Sequence, residues 1–584
     1  MQIFFIITND DHITIIIIIT DDYKNPDEFN YSIIHIIIHI ISTSSNMNEF
    51  SVLEFYNDKT IFITGVTGFV GKVLLEKCLR QLSIKRIYVL IRNKRSETSQ
   101  QRLSKLLSSS PLFECHQSKL DKIIAINGDI TGNGLGISIE DRQKLINEVN
   151  VVFHSAATVN FDGILKKFIQ QNIDGTDEIL KLCKDMMNLK SIVYVSTAYG
   201  NCQLKEIEEK IYPTVIDQDF ESYLNDLRMN YGDINLQIGH EALRNRPNPY
   251  TLSKSIAEWM IKERYSSLPV IICRPSIVAN SFEEPIPGWC DSTAGVGGAI
   301  ISTGLGISRF TIMDVKAKAD IVPVDIVVNS LIVAGVYRAS TLYNDEKNVI
   351  NITMGNHSIT WGKFLNGTIG YKDVVPSIKT VRPVSININP SRTFIDRMHL
   401  KTIKIFSHYL FACLFDLICL TIGHKPFMMN LMDRIHKGFY LLQPFSCNEW
   451  TFYNENIRYI NELLPNNERS LFNTNVYSVE WEKYFYNIAI GCRRYLVKDP
   501  DSTIEIAKRR YNRIEIIYTV FILIFHSTLY WLLKSMMINI LPYYIIDYIF
   551  ILYIGYYLFR IRGNIIDEFQ LLSKHFSKQF KLIN

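Results

Sequence analysis

The sequence predicts an α/β protein in three parts: a doubly wound parallel-sheet domain, a mainly helical C-terminal domain and a hydrophobic membrane tail. A glycine-rich loop near the N-terminus lies between a strand-like and a helix-like segment. Further β-rich runs follow it at helix-length intervals, which favours a parallel sheet. Beyond about residue 375 the chain becomes rich in aromatic residues and closes with two long apolar runs. These three observations predict the architecture.

The glycine-rich loop is "TGVTGFVGK", residues 64–72, with glycines at 65, 68 and 71. It follows the β-branched and aromatic run 59–64 and precedes a segment with helical apolar spacing, 69–82. At such a junction the glycines permit a sharp turn, close approach to a pyrophosphate and close packing of the helix, whose N-terminus faces the anion. The loop therefore predicts dinucleotide binding in a Rossmann-type domain, in preference to a purely structural turn.

Five further β-rich runs predict strands of the same sheet, at 86–92, 122–130, 151–157, 191–200 and 269–278. The segments between them predict helices at 138–148, 164–186 and 250–267. Residues 201–249 are charged and unpatterned, which predicts a surface insertion, and compact α/β character returns at 320–370.

The two apolar runs near the C-terminus, 514–533 and 538–559, are each long enough to span about 30 Å of hydrocarbon. Basic residues flank the pair, so the positive-inside rule places both ends in the cytosol if the runs form a hairpin. Charged and polar residues inside the runs leave two alternatives open, a helix pair in the membrane interface or a pair packed inside the protein. A weaker candidate is the run 405–422.

These features divide the chain into an N-terminal extension, a reductase-type domain, a helical domain and the tail, at 1–46, 47–375, 376–505 and 506–584. The isoleucine-rich extension fits neither a signal peptide nor a spanning helix, because its apolar runs are short and acidic residues separate them. Met47 stands just before the segment that leads into the first strand. We therefore expect residues 1–46 to be dispensable.

The composition narrows the functional classes. A net charge of +4 over 584 residues argues against a nucleic-acid partner bound by phosphate neutralisation. The ten cysteines are scattered, with no CxxC pair and no histidine cluster at zinc-ligand spacing, so the sequence predicts no metal site. Such cysteines are typical of reduced thiols in a chain that faces the cytosol.

The chemistry is indicated by "YTLSK", which places Tyr250 and Lys254 four residues apart on a predicted helix. An adjacent ammonium stabilises phenolate, so we expect Lys254 to lower the pKa of Tyr250 and make it a usable acid or base. About 50 residues earlier, the strand end "VSTAYG" supplies the hydroxyls of Ser196 and Thr197. The four residues are the predicted catalytic group.

In this order, the glycine loop, the strand-end hydroxyls and the YxxxK pair resemble an extended short-chain dehydrogenase/reductase. Within that superfamily, "ITGVTGFVGKVLLEKCLR", "FHSAATVNFD", "VYVSTAYGN", "YTLSKSIAE" and "EPIPGWCD" resemble the fatty acyl-CoA reductases. The stretch 445–499 resembles the male sterility-type C-terminal domain of that family. The resemblance covers roughly residues 48–499.

The resemblance implies a nicotinamide dinucleotide site, with Asp129 facing the adenine and with Pro275 and Ser276 beside the nicotinamide. The cofactor-binding residues expected from the loop and the resemblance are Thr64, Gly65, Thr67, Gly68, Phe69, Gly71, Arg92, Asp129, Ile130, Ala156, Ala157, Tyr250, Lys254, Pro275 and Ser276.

The second predicted strand ends at Arg92, where NAD-binding proteins carry an acidic residue that binds the ribose 2′-hydroxyl. A cation at this position favours NADPH over NADH. We expect Lys94 and Arg95 to be solvated surface cations, His154 to be a polar residue satisfied at a strand end, and Tyr199 to serve packing.

The resemblance further implies reduction of long-chain fatty acyl-CoA to fatty alcohol through the aldehyde, with release of coenzyme A. Thr197 is the first choice for the hydroxyl beside Tyr250, and Ser196 the second. Alternatives are a reductase that stops at the aldehyde, a membrane-bound sterol dehydrogenase or sugar epimerase, and an idle NADP-binding scaffold. We expect membrane lipid as a partner and, by family resemblance, a peroxisomal or endoplasmic reticulum membrane; the oligomeric state stays open.

Overall fold

A computed structural model of the chain describes residues 50–94, 96–231 and 241–537. The predicted extension 1–46 and the apolar run 538–559 lie outside these residues. The strands, in chain order, are β1 (Thr60–Thr64), β2 (Arg86–Ile91), β3 (Ile123–Asn127), β4 (Val151–His154), β5 (Ser191–Val195), β6 (Glu206–Ile207), β7 (Val270–Pro275), β8 (Ile277–Ala279), β9 (Phe310–Ile312), β10 (Lys318–Ala319), β11 (Ile321–Pro323), β12 (Val349–Ile352), β13 (Ile359–Thr360), β14 (Asn387–Asn389) and β15 (Thr451–Phe452).

Seven of these strands form one parallel sheet in the order β12-β7-β5-β4-β1-β2-β3. Ile63 of β1 stands opposite Phe153 of β4 on one side and Val89 of β2 on the other. The strand order reverses at β1, which is where doubly wound sheets bind their ligands. The predicted fold class is confirmed, and all six strands expected from the sequence belong to this sheet.

The sheet is covered on both faces because its strands alternate between two hydrophobic cores. Ile61 and Ile63 of β1 belong to one core, whereas Phe62 between them belongs to the other. Leu74 packs in the first core and Ile256 in the second, each from a helix described below. Continuous apolar strands of this kind are typical of parallel sheets buried on both sides.

The helices that cover the sheet or form the C-terminal part are α1 (Val52–Tyr56), α2 (Phe69–Gln81), α3 (Ser99–Ser109), α4 (Ile139–Glu148), α5 (Leu165–Phe168), α6 (Gly175–Asp185), α7 (Phe220–Tyr231), α8 (Pro249–Arg264), α9 (Val296–Gly304), α10 (Val324–Ala339), α11 (Trp361–Ile369), α12 (Phe394–Ile403), α13 (Leu410–Thr421), α14 (Met428–Ser446), α15 (Glu455–Leu463), α16 (Asn466–Arg469), α17 (Trp481–Gly491) and α18 (Ile504–Met537). A π-helical turn, Ile169–Asp174, joins α5 to α6, and another, Lys404–Tyr409, joins α12 to α13.

The segment 201–249 differs from the predicted surface insertion. It contains β6 and α7, and it buries Leu224, Leu243 and the guanidinium of Arg246. Arg246 donates hydrogen bonds to the Gly200 carbonyl oxygen (2.7 Å) and to Asn201 Oδ1 (3.0 Å). The expectation of a surface insertion is wrong, because the segment contributes buried residues to the core although its sequence is charged and unpatterned.

The C-terminal helices pack directly on the sheet domain. Tyr484 and Phe485 of α17 lie in the same core cluster as β1. At one contact, Gly491 of α17 meets Gly288, and a Cβ added at either glycine would overlap the other segment's backbone. The parallel pairing of β6 with β15 joins the two parts again. The boundary at 375/376 stays a prediction.

Among the described residues, two helical stretches are long and apolar enough to cross a membrane, Phe394–Thr421 and Asp501–Leu532. By length and composition alone this is weak evidence. In the second stretch, the most apolar segment of 18 residues contains no buried residue. Its first turns are held by the protein, because the Val384 N–H donates to the buried Tyr511 hydroxyl (3.0 Å).

Candidate active site

The glycine loop joins β1 to α2 with a geometry that requires glycine. Gly65 has φ +79°, and a Cβ there would lie 2.7 Å from the Ala156 backbone nitrogen. A Cβ on Gly71 would overlap the Gly65 carbonyl oxygen. Gly68 is the N-cap of the thirteen-residue α2, so the helix N-terminus opens beside the loop. The loop therefore brings unobstructed backbone and a helix N-terminus together, as a pyrophosphate requires.

Thr64, the last residue of β1, holds the loop to β4 through a buried histidine. The Thr64 hydroxyl lies 2.7 Å from His154 Nδ1, and it accepts a hydrogen bond from the Ala156 N–H (3.2 Å). His154 Nε2 lies 3.0 Å from the Thr176 hydroxyl, which itself donates to the Asn172 carbonyl oxygen (2.7 Å). The Thr176 hydroxyl therefore accepts a hydrogen bond from His154 Nε2, and the Thr64 hydroxyl donates one to His154 Nδ1.

This chain of donors requires a neutral imidazole with its proton on Nε2. Burial, together with a smaller effect of the nearby Lys254, lowers the pKa of His154 to about 3. The prediction that His154 is a satisfied polar residue is confirmed by its two hydrogen bonds.

Helix α8 begins beside the loop and carries the predicted catalytic pair. Asn248 caps it, accepting a hydrogen bond from the Thr251 N–H (3.0 Å), so Tyr250 lies in the first turn and Lys254 one turn later. The Lys254 ammonium donates to the Val195 carbonyl oxygen (2.6 Å) and lies over the Tyr194 ring, 4.7 Å from its centroid. Both predicted catalytic residues of α8 line the same cavity.

The predicted effect of Lys254 on Tyr250 is wrong for this structure. Burial raises the pKa of Tyr250 to about 12, with only a hydrogen bond to Thr197 opposing it. Burial also lowers the pKa of Lys254 to about 7, although Glu258 opposes this. The ammonium is directed at β5 rather than at the phenol, so the phenol stays protonated at neutral pH and is a proton donor.

The two strand-end hydroxyls differ in their partners. The Thr197 hydroxyl oxygen accepts from the Tyr199 N–H (3.3 Å) and keeps its own proton for donation. Ser196 Oγ is buried and has no hydrogen-bond partner among the described residues. Because this hydroxyl also lines the cavity, it is available to hydrogen-bond a ligand there.

The far end of the site is cationic. Arg92 Nη1 lies 3.4 Å from Asp129 Oδ2, and Lys94 and Arg102 line the cavity beside it. Arg102 projects from α3 and donates to the Arg92 carbonyl oxygen (2.5 Å). Lys94 is exposed, as expected of a solvated cation, although it also lines the cavity. The sequence analysis missed Arg102. Arg95 lies outside the described residues.

One cavity of about 870 Å³ connects these groups. Of the predicted site residues, Thr64 does not line it and acts through His154 and Ala156 instead. The others all line it: Gly65, Thr67, Gly68, Phe69, Gly71, Arg92, Asp129, Ile130, Ala156, Ala157, Ser196, Thr197, Tyr250, Lys254, Pro275 and Ser276. The glycine cradle, the unpartnered Ser196 and the cationic end fit a nicotinamide dinucleotide.

Beyond Tyr250 the cavity becomes apolar, and its wall comes from the C-terminal part. Helix α14 contributes Gly438, Leu441, Leu442 and Phe445. Phe161 packs between this wall and the catalytic helix, with its ring centroid 5.6 Å from that of Tyr250. The sequence analysis missed these residues, since an apolar helix face in a sequence is indistinguishable from ordinary core. Tyr199, expected to serve packing, stacks edge-on against Phe445 and also lines the cavity.

The chain is similar to known proteins over most of its length. Residues 63–331 and 407–499 match two families that are both described as male sterility protein. The protein "Fatty acyl-CoA reductase wat" of Drosophila melanogaster is 33% identical over 509 residues, 85% of this chain and 96% of the relative. "Fatty acyl-CoA reductase 1" of Homo sapiens is 33% identical over 472 residues, 80% of this chain and 90% of the relative.

Among solved structures, the terminal R domain from the myxalamid PKS-NRPS biosynthetic pathway superposes with a TM-score of 0.51. It is 18% identical, and the match covers 79% of this chain and 98% of that domain, so it supports the fold alone.

The sheet, the glycine cradle and the Tyr250–Lys254 helix define a Rossmann-fold oxidoreductase of the short-chain dehydrogenase/reductase type that uses a nicotinamide cofactor. Over most of its length, and at one-third identity, the chain belongs to the fatty acyl-CoA reductase family.

Proposed function

We propose that the protein reduces long-chain fatty acyl-CoA with NADPH, forming fatty alcohol through the aldehyde and releasing coenzyme A. The observation that carries the proposal is the single cavity that runs from the glycine loop past Tyr250 to the apolar wall of α14. The end at the glycine loop suits a dinucleotide, and the apolar end at α14 suits an acyl chain. In this reading residues 47–375 bind the cofactor, and residues 376–505 complete the substrate side.

The cationic end supports NADPH as the cofactor. Arg92, Lys94 and Arg102 converge where a ribose 2′-phosphate would lie, and Asp129 is already engaged by Arg92 and by the Thr131 hydroxyl. A 2′-phosphate would meet cations there, whereas the 2′-hydroxyl of NADH carries no charge for them to pair with.

The nicotinamide, when bound, supplies the hydride. The Tyr250 hydroxyl, protonated because of its raised pKa, donates a hydrogen bond to the thioester carbonyl oxygen, and Thr197 or Ser196 provides a second donor. Once the thioester carbon has accepted a hydride and its oxygen a proton from Tyr250, the C–S bond breaks and the proton of the new hydroxyl passes to sulfur. Coenzyme A thus leaves as the thiol, the aldehyde remains, and Tyr250 regains a proton from solvent. A second hydride, with a proton from Tyr250, reduces the aldehyde to the alcohol. Lys254 holds α8 on β5 and so fixes the position of Tyr250 one turn earlier.

The deciding assay uses the purified full chain in detergent with palmitoyl-CoA and NADPH, and gas chromatography scores aldehyde and alcohol. We expect hexadecanol and two NADPH oxidised for each coenzyme A released. Hexadecanal alone, with one NADPH per coenzyme A, would instead identify an aldehyde-forming reductase. Turnover of a sterol or of a nucleotide sugar, with none of palmitoyl-CoA, would overturn the proposal.

We further propose that the tail attaches the protein to a membrane, with the catalytic part in the cytosol. Exposed apolar side chains of α18, such as Ile516, Ile517 and Phe521, support this, since their area is costly to leave in water. By family resemblance the membrane is that of the peroxisome or the endoplasmic reticulum. Flotation of cell extracts and protease protection of the catalytic part test the attachment and the side of the membrane.

A further inference from the structure

The stretch α12–α13 presents one side to the protein and the other to solvent along its whole length. Leu400, His408, Ala412, Asp416 and Cys419 are buried on the inner side. On the opposite side a set of large apolar side chains is 47–70% exposed, and we call it the outer face: Phe394, Met398, Phe406, Leu410, Leu414 and Leu417. The π-helical turn between the helices adds one residue, which keeps both sides in register.

The inner side fixes this stretch to the protein with polar contacts. His408 Nε2 accepts from the Arg309 N–H (2.7 Å), and its Nδ1 lies 2.7 Å from His436 Nε2 on α14. Asp416 accepts from the N–H groups of Phe427 and Met428 (2.9 and 2.8 Å), which caps the start of α14. A helix that crossed a bilayer would have to break these bonds, so the stretch is held at the protein surface despite its apolar composition.

The free charges that the stretch itself carries beside the outer face are basic, while the neighbouring carboxylate of Asp433 on α14 accepts a hydrogen bond from the Tyr409 hydroxyl. Arg397, Lys401 and Lys404 follow one another at helical spacing and form a single row at its border. The acidic residues of this stretch, Asp396 and Asp416, are both engaged in caps, Asp396 with Thr393 and Asp416 with α14. An apolar face bordered by a basic row is the chemistry that suits the interface of an anionic membrane.

The stretch α12–α13 also lies next to the tail helix α18. The Arg309 guanidinium lies over the Tyr518 ring of α18, 4.9 Å from its centroid, while its backbone holds His408. Arg382, beside it, lies over Phe411 of α13 (3.7 Å). Helices α13 and α18 are therefore held by two neighbouring arginines, which places the outer face close to the tail helix along the protein surface.

We propose that the outer face of α12–α13 is a second membrane contact, which rests in the interface of an anionic bilayer without spanning it. This rests on the proposed tail attachment. Helix α14 lies directly behind the outer face and lines the cavity with its other side. With this contact, only helix α14 separates the apolar end of the cavity from the membrane, and the membrane is where long acyl chains are concentrated.

The two exposed cysteines of the described residues, Cys115 and Cys413, provide a matched test. Cys413 lies between Leu410 and Leu417 on the outer face, whereas Cys115 is remote from it in sequence and lies in the segment after α3. Full-length Cys115→Ser and Cys413→Ser variants are labelled with a thiol-reactive bimane and reconstituted in phosphatidylcholine–phosphatidylserine vesicles. The vesicles carry nitroxides in the headgroup, in the upper acyl chain or at the bilayer centre.

We expect the label at Cys413 to be quenched most by the upper-chain nitroxide, about 5–10 Å below the surface, and the label at Cys115 hardly at all. Strongest quenching at the bilayer centre would mean that the stretch spans, and equal, weak quenching of both labels would mean that protein or water covers the face. Either result overturns the proposal. If the vesicles float with the protein but Cys413 is not quenched, the second contact fails while the tail attachment stands; without flotation both fail.

The basic row gives an independent test. Arg397→Glu/Lys401→Glu should reduce the quenching of the Cys413 label in vesicles that contain phosphatidylserine, with flotation by the tail unchanged. Lys262→Glu, an exposed cation on α8, is the control and should change nothing. Unaltered quenching in the double variant would contradict the role of charge in the contact.

Discussion

Lys254 donates a hydrogen bond to the Val195 carbonyl oxygen over 2.6 Å, which ties the catalytic helix to the end of β5. This contact leaves Tyr250, one turn earlier, without an ammonium partner, and burial then keeps the phenol protonated. The structure thus presents Tyr250 as a donor, the role that a developing oxyanion requires.

Tyr250→Phe removes only the hydroxyl, so we expect cofactor binding to persist while reduction falls about 10²–10⁴-fold. Steady-state turnover and NADPH fluorescence titration measure the two effects. Tyr477→Phe, at a tyrosine that is 44% exposed, is the control. A Tyr250→Phe enzyme with most of its activity would remove the phenol from the mechanism.

Cofactor choice should depend on Arg92 and Arg102 together. Arg92→Asp should reverse the preference for NADPH over NADH, because a carboxylate repels the 2′-phosphate and binds the 2′-hydroxyl. Arg102→Ala should weaken NADPH selectively, while Arg142→Ala, whose partner is the surface Asp185, should not. The ratio of the two kcat/KM values is the measurement. An unmoved ratio in both variants of the cationic end would assign the phosphate to other groups.

His154 should make the protein lose stability in acid. Its pKa is about 3 in the folded protein and about 6.5 unfolded, so between these values the unfolded chain binds more protons, and stability falls as pH falls from 6.5 towards 3. His154→Gln lacks this titration. Denaturant unfolding at several pH values should show a slope smaller by up to about one proton in the variant. Equal slopes would mean that His154 is protonated when folded.

The apolar wall should limit chain length. A Cβ at Gly438 meets no atom within 4 Å, and the residue lines the cavity, so Gly438→Leu adds a side chain that competes with the acyl chain. We expect kcat/KM for palmitoyl-CoA to fall roughly tenfold or more, with a smaller loss for octanoyl-CoA. Gly370→Leu, at an exposed helical glycine with similar free space, is the control. Equal losses on both substrates would place the acyl chain elsewhere.

We expect the tail to be removable without loss of the catalytic part if the deletion begins after the buried Tyr511. Tyr511 is buried and bonded to Val384, so deletion from residue 514 onwards keeps this anchor, whereas a cut at 505 would lose it. We expect the protein truncated before residue 514 to leave the membrane pellet and to retain turnover on a short acyl-CoA. Its residual binding to anionic vesicles should decline with salt. A full-length protein that stays in the high-speed supernatant would contradict the tail attachment.

The sheet could be predicted because buried parallel strands are short β-branched runs, and the loop because Gly65 and Gly71 are sterically obligatory. Contacts between distant segments could not. Arg102 reaches the cofactor end from a helix with no recognisable motif, and the wall of α14 lies about 190 residues after Tyr250. The direction of the Lys254 side chain also depends on β5, which a four-residue spacing does not describe.

The meeting of Gly288 with Gly491 has a consequence for how the chain is made. The seven strands are complete once β12 has been synthesised, but the segment around Gly288 finds its neighbour only after Gly491 leaves the ribosome. Asp291, three residues on, pairs with Lys72 of α2 at the glycine loop. A nascent chain that ends with β12 therefore contains all seven strands but lacks both the neighbour of Gly288 and the α17 side chains that pack in the core of β1, so its core and its site are both incomplete.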